Sequence, residues 1–236
     1  RSFPSLKVFH TIGNHDHELA AGLSGDEQTV QTYRRILGPN YYSMNIGGVH
    51  FVSLDNIVCK NSGTSRRSSN HIDETELTWL RNDLATVPDG SEVVITCHAP
   101  MYSSGGGWYT DNARELIGIC QRFSRVLIVS GHTHVVYNVD KLHMSMPAYV
   151  NSGAVCAAWW TTGYDWPGVH VCSDGAPGGY RVMELRQGGV KSWYYKAIGK
   201  PRDFQFRVYD RNCIDFASDI WEPGGVGGKT GTVGDG

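Results

Sequence analysis

Cysteine is scarce in this chain, six residues (Cys59, Cys97, Cys120, Cys156, Cys172 and Cys213) in 236, and no two stand in a C-x-x-C pair. That density is far below a disulfide scaffold and excludes zinc-ribbon and thioredoxin-like motifs, so buried thiols are the plain expectation and disulfides the alternative. An excess of one charge is missing too: Lys and Arg total 21 against 23 Asp and Glu, a net charge of −2. Splitting at residue 155 leaves 12 basic against 14 acidic residues, then 9 against 9. Neither half carries a clustered basic footprint, so no long nucleic acid is expected as a partner. No apolar run approaches the ~18 residues that span a bilayer, and Arg1 to Gly13 lacks the charged-then-apolar layout of a signal peptide. Neither H-E-x-x-H nor G-x-S-x-G occurs, since His17-Glu18 has no second His. Pro223 to Thr230 approaches a P-loop, but Pro223 stands where the first glycine belongs.

What is present is a globular composition, 40% apolar with 29 glycines. Leu6 to Ile12 is a β-branched and aromatic run that predicts a buried strand feeding a loop at Gly13. Glu27 to Leu37 predicts a helix stopped by Gly38-Pro39. Tyr41 to Ile46 and Val49 to Asp55 predict a hairpin around Gly47-Gly48. A polar loop is expected from Lys60 to Asn70. Asp73 with Glu76 resembles a capping box, and Leu77, Leu80 and Leu84 predict a helix over Glu74 to Thr86. Glu92 to Cys97 and Arg125 to Ser130 read as strands running into His98 and into Gly131-His132-Thr133-His134, with a helix over Ala113 to Phe123 between them. This alternation predicts an α/β sheet with parallel strands, whose ligands gather beyond the carboxyl ends.

Beyond about Gly153 helix signals vanish. Strands are expected at Tyr180 to Leu185, Val190 to Ala197 and Phe204 to Tyr209, the first two turning at Arg186 to Gly189. The division is therefore residues 1–155 as an α/β domain and residues 156–236 as a smaller all-β domain. Because the sequence starts at Arg1 and closes on PGGVGGKTGTVGDG, with seven glycines in fourteen residues, both ends look cut from something longer.

Asn14, His15, His98, His132 and His134 come from three strand ends on one rim. Imidazole nitrogen and amide oxygen suit borderline divalent metals such as Zn, Mn, Fe, Co or Ni rather than Mg or Ca, which prefer oxygen cages. A single histidine is more often structural than a ligand, and His10, His50, His71, His143 and His170 are read that way. Four histidines in one strand-to-loop context point to a metal site.

Taken in this order and placement, Gly13-Asn14-His15-Asp16, His98 and Gly131-His132-Thr133-His134 resemble the later motifs of the calcineurin-like metallophosphoesterases. The resemblance implies a sandwich of mixed sheets with flanking helices and a site for two divalent metal ions. It implies that Asn14, His98 and His132 bind one ion and His134 the other, while His15 contacts the phosphate and protonates the leaving oxygen with Asp16 orienting it. The implied reaction is two-metal hydrolysis of small phosphate mono- or diesters, with ions about 3.5–4 Å apart. The family also has a D-x-H and a G-D-x-x-D motif upstream, and only twelve residues precede Gly13, with Asp16 the first Asp. The expectation is that the chain is a piece of a larger polypeptide that carries those ligands, and that this piece alone is inactive or nearly so.

Ser152-Gly153-Ala154 through Trp159-Trp160, Asp174-Gly175, Gly179-Tyr180 and Trp193-Tyr194-Tyr195-Lys196 resemble the C-terminal domain that accompanies this catalytic domain in secreted bacterial phosphoesterases. That resemblance implies a periplasmic or cell-surface location. Trp108 and Tyr109, after three glycines, are weaker candidates for capping a substrate, with an ordered surface loop as the alternative. A different class of function, a glycan- or phosphate-binding surface protein that keeps the fold without catalysis, stands beside the enzyme. Nothing in the sequence fixes an oligomeric state or the substrate.

Overall fold

The computed structural model describes residues 6–18, 23, 25–62, 65–101, 109–134, 136–139, 148–152, 155, 165–166, 169–170, 179–186 and 189–197. The chain runs through α1 (Asp26–Thr29), α2 (Gln31–Leu37), β1 (Tyr42–Ile46), β2 (Val49–Ser53), β3 (Ile57–Ser62), β4 (Ser65–Asn70), α3 (Glu74–Ala85), β5 (Glu92–Thr96), α4 (Ala113–Cys120), β6 (Arg125–Ser130), β7 (Val136–Val139) and β8 (Ala148–Ser152). Two short strands, β9 (Asp165–Trp166) and β10 (Val169–His170), and a long hairpin of β11 (Gly179–Arg186) and β12 (Gly189–Ala197) follow.

A six-stranded sheet in the order β1-β2-β5-β6-β8-β7 organises the first part. β2, β5, β6 and β8 are mutually parallel, and β1 and β7 run antiparallel to their neighbours. The result is a mixed α/β sheet with helices, as expected. Val49, Val94, Leu127 and Val150, one from each parallel strand, form a buried row, and Phe51 and Val129 pack beside it. Met183 and Leu185 of β11 pack against the same row, so the hairpin lies on this sheet rather than apart from it.

Several local expectations hold. Gly47 and Gly48 take positive φ, 59° and 81°, the two-residue turn that closes β1 onto β2. Asp73 caps α3 by accepting the Thr75 amide at 2.7 Å. Its capping-box partner behaves differently: Glu76 is buried and accepts the Asp55 amide at 2.8 Å. Burial raises the Glu76 carboxyl well above its usual range. The helix expected over Glu27 to Leu37 is broken at Val30 into α1 and α2.

Two expectations fail. Leu6 to Ile12 is not a strand: Leu6 and Val8 are 63% and 66% exposed, and only Ile12 is fully buried. A β-rich sequence becomes a strand only where a ladder partner exists. Here the segment is anchored by side chains instead, through Thr11 Oγ1 to Ser53 Oγ at 2.9 Å and Thr96 Oγ1 at 2.7 Å. Lys60 to Asn70 is not a loop but the greater part of the β3–β4 hairpin. Its polar sequence offers no apolar alternation, which is why period two could not be seen. The strand expected at Phe204 to Tyr209, the near-P-loop at Pro223 to Thr230, Trp159, Trp160, His143, Cys156, Cys172 and Cys213 lie outside the described residues. Cys59, Cys97 and Cys120 are free, buried thiols.

Candidate functional site

The chain leaves β2, β5 and β6 at one rim, and backbone bonds continue the ladder past the strand ends. The Leu54 amide donates to Thr96 O at 2.8 Å, Cys97 to Val129 O at 3.0 Å and Gly131 to His98 O at 2.9 Å. These bonds hold the His98 and Gly131 loops in register with each other. Gly13 meets them from the other side. A Cβ on Gly13 would lie 2.7 Å from His98 Nδ1, so only glycine lets the ring lie against this backbone. Asp16 closes the Gly13 turn, its Oδ2 accepting the Gly13 amide at 2.8 Å, while the Asp16 amide donates to Gly13 O at 2.9 Å.

Three of the expected ligands meet. Asn14 Oδ1 lies 2.8 Å from His98 Nε2, and His132 Nδ1 lies 3.0 Å from the same nitrogen. The two rings are tilted by 60° with centroids 4.7 Å apart. His132 and His134 hold φ of 65° and 59°, the left-handed region that costs a non-glycine residue about 1–3 kcal/mol. The donor atoms of His98, His132 and His134 do not all lie within 4.8 Å of one another. His15 and Asp16 are exposed on the turn. The oxygen of Asp16 that closes the turn is given to Gly13, not to the His15 ring. Tyr109 is 40% exposed, and Trp108 lies outside the described residues.

Burial lowers the His98 pKa to about 3, with His132, His134, His15 and His17 adding repulsion. Burial also lowers His132 to about 4, helped by His134 and His15, and lowers His134. The rings are therefore neutral, the state in which imidazole binds metal. The donor set fits a borderline divalent ion. Two ligand atoms each held about 2.0–2.2 Å from one ion lie about 3 Å apart, close to the spacing of these three atoms. One nitrogen facing both an amide oxygen and a second imidazole nitrogen cannot serve both with its single proton, whereas a cation among them satisfies all three.

Sequence reading missed the residue that shapes the His98 loop. Asn56 is fully buried; its Oδ1 accepts the His98 amide at 2.9 Å and the Ala99 amide at 3.0 Å. Its Nδ2 donates to Ala99 O at 2.7 Å and lies 2.8 Å from Thr110 Oγ1. The one available signal was position: Asn56 follows β2 on the rim that carries the other site loops.

Residues 2–136 match the family model of the calcineurin-like phosphoesterases, and residues 150–220 match the model for the C-terminal part of calcineurin-like phosphoesterase. Purple acid phosphatase 15 of Arabidopsis thaliana is 28% identical over 166 residues, 60% of this chain. The match spans 28% of that plant protein's length. No described helix is long and apolar enough to cross a membrane. With a family model covering more than half of its residues, this chain belongs to the calcineurin-like phosphoesterases.

Proposed function

We propose that this protein hydrolyses phosphate mono- or diesters with the help of divalent metal ions at the carboxyl rim of its sheet. The observation that carries this reading is the meeting of Asn14 Oδ1, His98 Nε2 and His132 Nδ1, delivered from three separate segments at spacings of 2.8 and 3.0 Å. Family membership and the likeness to a purple acid phosphatase support it. Two ions, drawn from Mn, Fe, Zn, Co or Ni, would polarise the phosphoryl oxygen and lower the pKa of water, so no Ser or Cys nucleophile is needed. Asn14, His98 and His132 are assigned to one ion and His134 to the other. Gly13 and Asn56 place the His98 ring; Asp16 fixes the turn that carries His15. His15, exposed on that turn, is assigned to contact the phosphate and hand a proton to the leaving oxygen. Trp108 and Tyr109 are assigned to cap the substrate.

The test is release of p-nitrophenol from mono- and bis-p-nitrophenyl phosphate by the native protein supplied with Mn or Zn. His98→Ala is expected to lower turnover by more than the ~10–100-fold typical of residues that only support a ligand. Absence of metal-stimulated turnover, or an unaffected His98→Ala, refutes the reading. Because only His134 is assigned to the second ion, the isolated 236-residue stretch is expected to be nearly inactive. A second reading is a non-catalytic glycan- or phosphate-binding protein on this fold. Phosphate binding without turnover by the native protein would establish it.

Residues 1–155 are proposed as the catalytic domain and 156–236 as an accessory all-β domain. The proposed location is a bacterial periplasm or cell surface, which recovery of the native protein from cytosol would refute.

A further inference from the structure

We propose that His17, Cys59 and Asp26, with Asp55 beside the His17 ring, form a second, largely buried metal site, separate from the rim, that takes zinc or a similar borderline divalent ion. The residues come from four places: the end of the Gly13 turn, the first turn of α1, the loop after β2 and the third position of β3. A ring nitrogen of His17, the Cys59 sulfur and a carboxylate oxygen of Asp26 all lie within 4.8 Å of one another. Cys59 is fully buried and His17 is 2% exposed.

The hydrogen bonds around His17 fix which nitrogen is available. Thr29 Oγ1 donates its one proton to Asp26 O at 2.7 Å, so its 2.8 Å contact with His17 Nδ1 must be accepted from the ring. Nδ1 therefore carries hydrogen and Nε2 presents its lone pair in the neutral ring. A ligand histidine is commonly held this way, its other nitrogen donating to a neighbouring oxygen. Nε2 is buried without a hydrogen-bond partner and lies 3.5 Å from Asp55 Oδ1. An orphaned buried nitrogen is costly, and a cation beside Nε2 removes that cost; Asp55 is the carboxylate on the Nε2 side, while Asp26 Oδ1 lies 3.7 Å from Nδ1.

The carboxylates are fixed as firmly. Asp26 Oδ1 accepts the Cys59 amide at 2.6 Å, and Asp55 accepts Asn40 Nδ2 at 2.8 Å on Oδ2 and the Ile57 amide at 3.2 Å on Oδ1. One nitrogen, one sulfur and carboxylate oxygens match zinc better than the all-oxygen preference of Mg or Ca. Binding would release two protons to solvent, one from the Cys59 thiol and one from Nε2 of the His17 ring that is charged in the ion-free pocket, with the sulfur and nitrogen lone pairs going to the ion. The ion would tie the Gly13–Glu18 segment to α1 and β3, bracing the turn that carries Asn14 and His15. The site does not depend on the phosphoesterase reading, because none of its residues belongs to the rim trio.

The full chain, stripped with a chelator and titrated with Co(II), tests it by the near-ultraviolet sulfur-to-cobalt charge-transfer band. The chain has five other cysteines, so the band is assigned to this site by its loss in the Cys59 and His17 variants. The band is expected in the unmodified chain and in His98→Ala, to be lost in Cys59→Ala and His17→Gln, and to be displaced by Zn(II). Should Cys59→Ala fail to fold, His17→Gln, which keeps a polar side chain of similar reach, makes the assignment. No band in the unmodified chain, or a band that survives in a folded Cys59→Ala or His17→Gln, overturns the proposal. In the first of those outcomes the pocket holds a protonated His17 paired with Asp55.

Discussion

At the rim, His98 is pushed down to about 3 and His132 to about 4, by burial first and by neighbouring imidazoles second. A few residues along the chain from Asn14, His17 stands at about 10, because contacts with Asp55 and Cys59 outweigh a burial effect that by itself would lower it. One side-chain type, half-buried at the rim and buried at His17, is kept neutral among its own kind and, with no ion in the pocket, charged among carboxylates. Burial alone therefore does not set the state of a histidine; the charge of what is buried with it does. The two regions are joined as well, since the His17 charge is one of the causes that depress His98.

The largest test of this contrast is the pH dependence of stability in metal-free protein. Below the ordinary value of 6.5 the unfolded chain binds protons that His98 and His132 refuse in the folded state. Stability should therefore fall as pH drops from 6.5 toward about 4. At about 1.4 kcal/mol per unit, reduced because both rings are partly exposed, the loss is on the order of 4 kcal/mol. His17 acts oppositely: its folded value is raised, so its contribution is complete below 6.5 and is lost as pH rises toward about 10. Urea midpoints at acid, neutral and alkaline pH should pass through a maximum near neutrality. A curve that only rises or only falls would break the contrast.

Asn56→Ala comes next. It strands the His98 and Ala99 amides, and a destabilisation of about 2–3 kcal/mol is expected, with loss of activity in the native protein. An unchanged midpoint would show that the rim loop holds itself. Gly13→Ala should act on the rim alone: the new methyl must displace the His98 ring, so turnover should fall by about tenfold or more while the His17 pocket is untouched. Thr29→Val is the matching change on the other side, removing the acceptor for His17 Nδ1–H. Its expected cost is about 1–2 kcal/mol by thermal melting, with activity little changed. Equal loss of activity in both variants would mean that the two regions act as one site.

Much of the rim was legible because its loops carry their chemistry in short runs directly after strands. β5 and β6 announce themselves as Val/Ile-rich segments, and each is followed at once by His98 or by Gly131 to His134. Gly13-Asn14-His15-Asp16 was legible as a motif, though the reason for its glycine is a ring 85 residues away. The segment before it was misread: Leu6, Val8 and Phe9 look like a strand, yet they are largely exposed and pair with no strand among the described residues. β7 and β8 were not anticipated either, although β8 pairs with β6 and supplies Val150 to the core row. Short strands without alternation give no local signal apart from the partner they join.

The sequence by itself determined the rim, the α/β class and the family likeness, since those rest on local runs whose spacing already encodes strand ends and metal-type donors. Tertiary structure alone decided that Asn56 clamps the His98 loop and that His17, Asp26 and Cys59 come within 4.8 Å of one another, with Asp55 3.5 Å from the His17 ring. Those contacts join residues far apart in the chain, and no periodicity records them. What brings them together is the burial of apolar strands around them, which removes water and leaves each polar atom only the partners that the fold supplies.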